Sequence, residues 1–509
     1  MKSLLCKSLL PLALLVVTGL TASAQGTLKV AAIFGDHMVL QRNVPLVFWG
    51  QAREGMAVRL SFAGQTGIAA ADTTGAWRIH LSPVAPSQEG QPLRFHTDEE
   101  EIVFHDVLVG EVWHASGQSN MEMKVNAVAA RLPQAQEDLA NAHLPAIRFR
   151  RIGSNGSPRP LPDLAEKGHW VVGTPDTAPT FSAAAFYFAR ELHAKLGVPV
   201  GMVDTSRGGT PIEPFIPREA FSEHPTLQRE LALGDAGDLD GIWRLPGGVY
   251  ARDENWLPGR LFHSRVAPIT DFAARGLIWY QGESNCGTRE DPRDYRHKMA
   301  ALVKGWRMAL HSPDMPVYFV QLPGSGAGPG WPYLREEQRR SASLPHTGMV
   351  VTIDLLDADI HPPNKIDVGK RLARWALANT YGKSLPFSGP LFREALIADG
   401  RVTVHFDHAE RGLMVAIKEG LTPPQESADQ SLALFEVADA DGTWHTAHAE
   451  ILDKTVLVHH EAVPDPRAVR YAYAVSPPHC RLYNRDGLPA SPFCSDERFL
   501  DYDPNLPTE

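Results

Sequence analysis

One pattern limits the possible folds of this chain more than any other. Over residues 107–387, short apolar runs alternate with stretches of helical periodicity. Residues 200–203 and 276–280 are apolar runs, whereas residues 181–196 place apolar side chains at helical spacing and end before Gly197. Strands that alternate with helices predict an α/β fold with a parallel sheet covered on both faces. In such sheets the active site forms at the carboxyl ends of the strands, where the polar motifs of this chain also fall.

The regions on either side have the alternating pattern of β-strands. Residues 56–62, 77–81, 401–406 and 469–475 place large apolar residues at every second position. These short strands predict a β-sandwich-like domain at each end.

Turn signals and composition complete the predicted layout. Residues 82–91 are rich in Pro, Ser and Gly and predict a loop, and residues 439–442 predict a hairpin turn. The predicted parts are a signal peptide at 1–24, an N-terminal β-domain at 25–106, a catalytic domain at 107–387, and a C-terminal β-domain and tail at 388–509. We expect the N-terminal domain to pack on the catalytic domain, since no flexible linker separates them.

The first 24 residues resemble a secretory signal peptide. Lys2 and Lys7 give a positive start, residues 9–20 are largely apolar, and Ala22-Ser23-Ala24 has the small-residue form that signal peptidase cleaves. The apolar run is shorter than the roughly 20 residues that a membrane-spanning helix needs. We therefore expect cleavage after Ala24 and export to the periplasm or the medium, without a membrane anchor.

The net charge and the cysteine content limit the classes of partner and cofactor that this chain can bind. A formal net charge of −10 without a basic tract argues against nucleic acid and anionic membrane surfaces. Three cysteines follow the signal peptide; Cys480 and Cys494 would close a short loop and are the natural disulfide pair, whereas Cys286 would remain a thiol. No Cys/His cluster has zinc spacing, so we expect neither a metal nor a cofactor.

Two distant motifs carry the side chains of a serine nucleophile. Ser119 follows an apolar extended segment, in the run Gly117-Gln118-Ser119-Asn120-Met121. A serine hydroxyl needs a base to take its proton and a carboxylate to orient that base. His361 and Asp359, two positions apart, offer both, so we predict His361 as general base and then acid, with Asp359 orienting it. The nearby carboxylates that are alternatives to Asp359 are Asp354 and Asp357.

The full set of motifs resembles the sialate O-acetylesterase-like branch of the SGNH hydrolases. In chain order the motifs are residues 117–121, 206–211, 279–285, 334–336, 359–362 and 487–493. The resemblance implies an SGNH-hydrolase α/β/α sandwich with a parallel sheet, flanked by β-domains. It also implies hydrolysis of O-acetyl esters on sugars.

The resemblance further implies roles for residues around the nucleophile. The oxyanion donors that the resemblance implies are the backbone N–H groups of Ser119 and Gly208 and the side-chain amide of Gln281. Three further residues are candidates from their position and chemistry. Arg207, which we expect beside Ser119, offers a cation to an acidic substrate or to a local carboxylate, Glu283 supports its loop or approaches the substrate, and Asn285 is the competing amide donor. The chain departs from the usual family residues, at positions that we expect near the substrate groove, in His114, Arg207 and Phe215.

These observations predict an exported serine carbohydrate esterase that removes O-acetyl groups from sugars. A sialate O-acetylesterase is the first choice, and its partner is an O-acetylated carbohydrate. An acetylxylan or other plant-glycan acetylesterase uses the same machinery and stays open as an alternative. A second alternative is a non-catalytic carbohydrate-binding protein, against which the intact Ser119, Asp359 and His361 argue.

Overall fold

The computed structural model describes residues 28–166, 168–238, 254–286, 291–325 and 328–499, so the predicted signal peptide lies outside the described residues. The first eight strands are β1 (Lys29–Val30), β2 (Val39–Gln41), β3 (Leu46–Gln51), β4 (Ala57–Phe62), β5 (Gln65–Ala70), β6 (Ala76–Leu81), β7 (Ser87–His96) and β8 (Glu101–Gly117). Buried residues alternate with more exposed ones along β4 and β6. This confirms the two strands predicted from period-2 patterning.

The loop predicted at residues 82–91 is wrong in its second half. Strand β7 begins at Ser87 and pairs antiparallel with β8, with register shifts between Ser87 and Leu93. Gly90 lies so close to β8 that an added Cβ would stand 2.2 Å from Asp106 Oδ1. Pairing with the neighbouring strand therefore outweighs the weak β propensity of this polar stretch.

Strands and helices alternate from residue 119 to residue 379. The strands are β9 (Leu144–Arg151), β10 (Val171–Gly173), β11 (Val200–Asp204), β12 (Gly276–Tyr280), β13 (Val317–Val320) and β14 (Thr347–Val350). Among the described residues of this span, the α-helices are α1 (Ser119–Glu122), α2 (Val125–Ala129), α3 (Pro133–Ala140), α4 (Ala183–Leu196), α5 (Pro225–Asp235), α6 (Tyr295–Ala309), α7 (Trp331–Ser341) and α8 (Lys365–Asn379). Strands β9, β11, β8, β12, β13 and β14 lie side by side in that order and run parallel, with β10 antiparallel at one edge.

Helices contact both faces of this sheet. On β8 the Trp113 ring lies 5.1 Å from the Phe188 ring of α4, whereas the His114 ring lies 5.6 Å from the Trp306 ring of α6. Because successive side chains of a strand point to opposite faces, α4 and α6 cover opposite faces. Helix α8 packs directly on α4, where a Cβ added to Gly369 would stand 2.7 Å from the Phe188 backbone nitrogen.

Strand β8 belongs to both the N-terminal β region and the central sheet. It has 17 residues, pairing with β7 through its first half and with β11 and β12 through residues 111–117. One hydrophobic cluster contains Phe95 of β7 together with Val112 of β8 and Val203 of β11. The predicted boundary at residue 106 therefore falls inside a continuous strand, and the N-terminal region packs on the central sheet.

Three small sheets follow α8 in the part of the chain that the structure describes. Their strands are β15 (Leu391–Ala398), β16 (Arg401–Asp407), β17 (Leu413–Ile417), β18 (Gln425–Glu426), β19 (Phe435–Ala438), β20 (Trp444–Thr446), β21 (His448–Leu452), β22 (Thr455–His459), β23 (Ala468–Tyr471), β24 (Leu482–Asn484) and β25 (Phe493–Cys494). Antiparallel pairing of β19 with β20 confirms the turn at residues 439–442. Strand β23 is shorter than predicted, because Ala472 has a φ of 51° and ends the extended backbone.

The predicted disulfide between Cys480 and Cys494 is wrong. Both are free, buried thiols: Cys480 Sγ donates to the Pro477 carbonyl at 3.7 Å, and Cys494 Sγ donates to the Asp496 carbonyl at 3.4 Å. Burial raises the pKa of each thiol to about 12. Across the described ranges, no helix combines the length and the apolar character needed to cross a bilayer.

Candidate active site

The motifs singled out in the sequence converge at the carboxyl ends of the parallel strands. The residues that follow β8, β11 and β12 are Ser119, Gly208 and Gln281, and the segment between β14 and α8 carries His361. The turn after β8 is bonded to the segment after β11, since the Arg207 N–H donates to the Gly117 carbonyl at 2.9 Å. The arrangement agrees with the expected edge of an open α/β sheet.

Ser119, His361 and Asp359 form a hydrogen-bonded chain. Ser119 Oγ lies 2.8 Å from His361 Nε2, and His361 Nδ1 lies 3.2 Å from Asp359 Oδ1. The same Asp359 oxygen accepts the His361 backbone N–H at 3.1 Å, and this bond is the main cause of the lowered pKa of Asp359. A carboxylate, an imidazole and a hydroxyl in this order can move a proton from the hydroxyl to the imidazole.

The two alternative carboxylates have other partners. Asp354, in the segment that follows β14, accepts two hydrogen bonds from Arg371, each at 2.7 Å. Asp357 pairs with Arg131 at 2.6 Å and accepts the Asp359 backbone N–H at 2.9 Å. Asp359 is therefore the carboxylate of the three that contacts the His361 ring.

Arg131 is a site residue that the sequence analysis missed. Its guanidinium donates to the His361 carbonyl at 3.0 Å, besides its bond to Asp357, and lies 3.5 Å from Asp359 Oδ2. It thereby ties the histidine segment to the region just after α2. A single arginine more than 200 positions from its partners carries no local signal, so no pattern in the sequence points to it.

Gly117 allows the sharp turn that places Ser119. Its φ is 132°, a region that residues with a side chain rarely adopt. A Cβ at this position would stand 2.1 Å from the Tyr280 carbonyl oxygen of β12. Ser119 therefore lies two residues after a position that accepts only glycine.

Replacing Gly117 with alanine should lower the free energy of unfolding by about 3 kcal/mol, because strain and a backbone clash add. Gly197 offers a matched control, since it also has a positive φ, of 66°, but nothing stands within 4 Å of an added Cβ. Gly197→Ala should cost only about 1 kcal/mol. Urea unfolding of both variants measures the difference, and equal losses would contradict the clash.

The Gly208 N–H is occupied by a side chain. A Cβ at Gly208 would stand 3.6 Å from Ser119 Cβ, so this segment adjoins Ser119. The Gly208 N–H donates to Glu122 Oε2 at 2.6 Å, and the same carboxylate pairs with Arg151. Arg151 in turn pairs with buried Asp204 at 2.7 Å. Glu122 and Arg151 were not predicted, although Glu122 lies only three positions after Ser119.

Gln281 and Asn285 are buried and bonded inside the protein. Gln281 Nε2 donates to Gln118 Oε1 at 3.0 Å and to Asn285 Oδ1 at 2.7 Å, and its Oε1 accepts from the Tyr295 hydroxyl at 2.8 Å. Asn285 Nδ2 donates to Glu213 Oε1 at 3.1 Å. For the Gln281 amide to serve as an oxyanion donor, one of its bonds to Gln118 and Asn285 must break.

This chain differs from the usual family residues at three positions. At two of them the side chain does not lie near the expected substrate groove. His114 and Phe215 are fully buried in the core, where His114 contacts Trp306 and Phe215 packs on Trp279. The expectation that both line the substrate groove is therefore wrong; burial also lowers the pKa of His114 to about 4. Arg207 is partly exposed and donates to Asn155 at 3.2 Å.

Known proteins share this architecture over nearly the whole chain. Residues 247–378 match the family described as carbohydrate esterase, sialic acid-specific acetylesterase. Sialate O-acetylesterases of Rattus norvegicus and Homo sapiens are 27% and 28% identical, over 94% and 91% of this chain and 96% and 92% of theirs.

A solved structure gives the stronger match. The crystal structure of a carbohydrate acetylesterase from Xanthomonas citri is 33% identical, with a TM-score of 0.80. The match covers 92% of this chain and 99% of that one. This chain therefore belongs to the sialate O-acetylesterase-like family of carbohydrate acetylesterases and is a carboxylic ester hydrolase.

Proposed function

We propose that this protein removes O-acetyl groups from sugars through an acetyl-enzyme on Ser119. The observation that carries the proposal is the chain of contacts from Ser119 Oγ through the His361 ring to Asp359, at 2.8 and 3.2 Å. The chain occurs in a member of a carbohydrate acetylesterase family, and Ser–His–Asp chains activate serine for attack on esters. Because the protein is an ester hydrolase, the alternative of a non-catalytic binding protein is excluded.

The reaction then runs in two halves. Ser119 Oγ attacks the acetyl carbonyl while its proton passes to His361 Nε2, giving a tetrahedral oxyanion. The carbon–oxygen bond to the sugar breaks, and the departing sugar oxygen takes the proton from His361. Water attacks the acetyl-enzyme with His361 again as base, and acetate leaves as Ser119 regains its proton. Asp359, anionic at neutral pH, orients the ring and stabilises its charged form.

The proposed oxyanion donors are the backbone N–H groups of Ser119 and Gly208. The Ser119 N–H belongs to the first turn of α1, where amide hydrogens lack acceptors within the helix. The Gly208 N–H adjoins Ser119 but donates to Glu122, so the substrate must displace that carboxylate. The Gln281 amide stays a prediction that requires a rearrangement of its bonds.

Replacing Glu122 with glutamine should raise kcat/KM for an acetylated sugar by about 5-fold, because a carboxylate near the developing oxyanion repels it. Initial rates over a range of substrate concentrations measure this. Glu426, which pairs with Arg485 at 3.0 Å in the C-terminal region, is the matched control, and Glu426→Gln should leave kcat/KM unchanged. A fall in kcat/KM for Glu122→Gln would contradict the proposed role of Gly208.

We propose an O-acetylated sialate as the preferred substrate, supported by the sialate O-acetylesterases among the relatives. Arg207 is partly exposed and directly precedes Gly208, and we propose that its guanidinium contacts the sialate carboxylate. The relative of 33% identity is described only as a carbohydrate acetylesterase, which keeps acetylated xylan or another plant glycan as the second candidate.

The test is acetate release from O-acetylated sialic acid and from acetylated xylan, with rapid acid quenching to trap the intermediate. One acetyl group on the Ser119 peptide, found by mass spectrometry, supports the mechanism. The substrate with the higher kcat/KM decides between the two sugars. Acetate release without acetyl transfer to Ser119 would contradict the proposal.

The domain layout and the export of the chain are further parts of the proposal. We propose an SGNH-hydrolase α/β/α sandwich at residues 107–387 between β-domains at 25–106 and 388–509, with strand β8 running across the first boundary. The six parallel strands and the helices on both faces support it. The sequence of residues 1–24 supports export, and N-terminal sequencing of the secreted protein should begin at Gln25; retention of Met1 would contradict it.

A further inference from the structure

Asn120, directly after the proposed nucleophile, is bonded to the segment that carries His361. It is fully buried, and its Nδ2 donates to the Ile360 carbonyl at 3.0 Å. The same amide group donates to Glu283 Oε1 at 2.5 Å. Its Oδ1 accepts from Lys365 Nζ at 2.6 Å, so both ends of this side chain are engaged.

Lys365 completes the connection from the other side of His361. It is the first residue of α8, and its fully buried Nζ donates to the Pro362 carbonyl at 2.6 Å as well as to Asn120. The carbonyl groups on both sides of His361 are thus tied to the residue next to Ser119. We call this pair of side chains, Asn120 and Lys365, the clamp.

Burying an ammonium group is costly, so the position of Lys365 requires compensation. Glu283 supplies the opposite charge through Asn120, and the Lys365 ammonium also lies 5.3 Å from the centre of the Tyr280 ring. Burial lowers the pKa of Lys365 to about 7 and raises that of Glu283, whose Oε2 has no hydrogen-bond partner among the described residues. An apolar side chain of similar length would fill the same volume without this desolvation.

Two bonds of the clamp end on the Ile360 and Pro362 carbonyls, on either side of His361, and a third ends on Glu283. We infer that Asn120 and Lys365 are positioning residues that hold His361 at hydrogen-bond distance from Ser119. The inference rests on the proposed roles of Ser119 and His361. It explains why buried Lys365 and the buried Oε2 of Glu283 lie beneath a partly exposed triad, since His361 and Asp359 are on a surface segment without regular structure.

The test replaces Lys365 with methionine, which keeps the length of the side chain and removes its donors. The control is Lys418→Met: the Lys418 side chain is 4% exposed and pairs with Asp367 at 2.8 Å, so it is a largely buried lysine whose ion pair is with α8 and not with Asn120. We expect Lys365→Met to lower kcat by about 100-fold with KM within about 3-fold, because small misplacements of reacting groups cost rates of that size. Lys418→Met should keep wild-type kcat.

A second readout follows the first half of the reaction alone. The rate at which a fluorophosphonate labels Ser119 should fall in Lys365→Met by the same factor as kcat. A change in kcat no larger than in Lys418→Met, or a rise in KM at unchanged kcat, would overturn the inference.

If Lys365→Met does not fold, Asn120→Asp provides the test, since it keeps the oxygen that accepts from Lys365 and removes the amide that donates to Ile360 and to Glu283. A fall in kcat of at least about 10-fold at unchanged KM supports the clamp; wild-type kcat overturns it. Ser119→Ala is measured alongside. If that variant keeps its activity, the proposed function fails and the inference with it, whereas an inactive Ser119→Ala beside an unimpaired Lys365→Met overturns the inference alone.

Discussion

Ser119→Ala should release acetate from an O-acetylated sugar about 10⁴- to 10⁶-fold more slowly than the wild type, at saturating substrate. Without the hydroxyl no acetyl-enzyme forms, and only the oxyanion donors and substrate binding still accelerate attack by water. The loss should fall on kcat, because the hydroxyl is a small part of the surface that holds the sugar. Coupled detection of acetate under steady-state conditions measures it.

Ser264→Ala is the control for the loss of a buried serine hydroxyl. Ser264 is fully buried, and its Oγ donates to the Leu261 carbonyl at 3.4 Å, outside the Ser119–His361–Asp359 chain. We expect it to keep wild-type kcat. Equal thermal midpoints of wild type and Ser119→Ala would exclude unfolding as the cause. Activity in Ser119→Ala within about 10-fold of wild type would contradict a serine mechanism.

His361→Ala should lower kcat on a sugar acetate by a similar factor, about 10⁴- to 10⁶-fold, because base and nucleophile act as one unit. The effect should depend on the leaving group. A sugar alkoxide needs the proton that His361 returns to it, whereas p-nitrophenolate leaves without one. The loss on p-nitrophenyl acetate should therefore be smaller than the loss on the sugar ester, and steady-state rates on both esters test this.

The matched control for His361 is His445, which forms a similar pair with Asp439, at 2.8 Å, in the C-terminal region. His445→Ala removes a partly exposed His–Asp contact of the same kind and should leave both rates unchanged. Equal losses on the two esters in His361→Ala would contradict its role as the acid for the sugar oxygen.

Elements defined by local patterning could be predicted well. The apolar run at 276–280 is strand β12, and the helical spacing at 181–196 is helix α4, which Gly197 ends with a φ of 66°. These features depend on the residues themselves, because apolar periodicity and the backbone freedom of glycine are local properties. The same holds for the short segment that presents Asp359 and His361 together.

Features that depend on contacts between segments far apart in the chain could not be predicted. The polar stretch at 87–91 became a strand because β8 lies beside it. Cys480 and Cys494 are 14 positions apart, yet packing sends them to different clusters. His114 and Phe215 looked like groove residues from their neighbours in sequence, but they point into the core between the sheet and its helices.

The sequence by itself determined the α/β class, the flanking β regions and the three residues of the proposed triad, since these follow from periodicity and from side-chain chemistry. Only the tertiary structure decided which groups surround them. Glu122 on the Gly208 N–H, Arg131 on the His361 carbonyl, and the clamp of Asn120 and Lys365 join segments far apart in the chain. Such contacts depend on which strand ends meet at one edge of the sheet, and that order arises when the whole sheet folds.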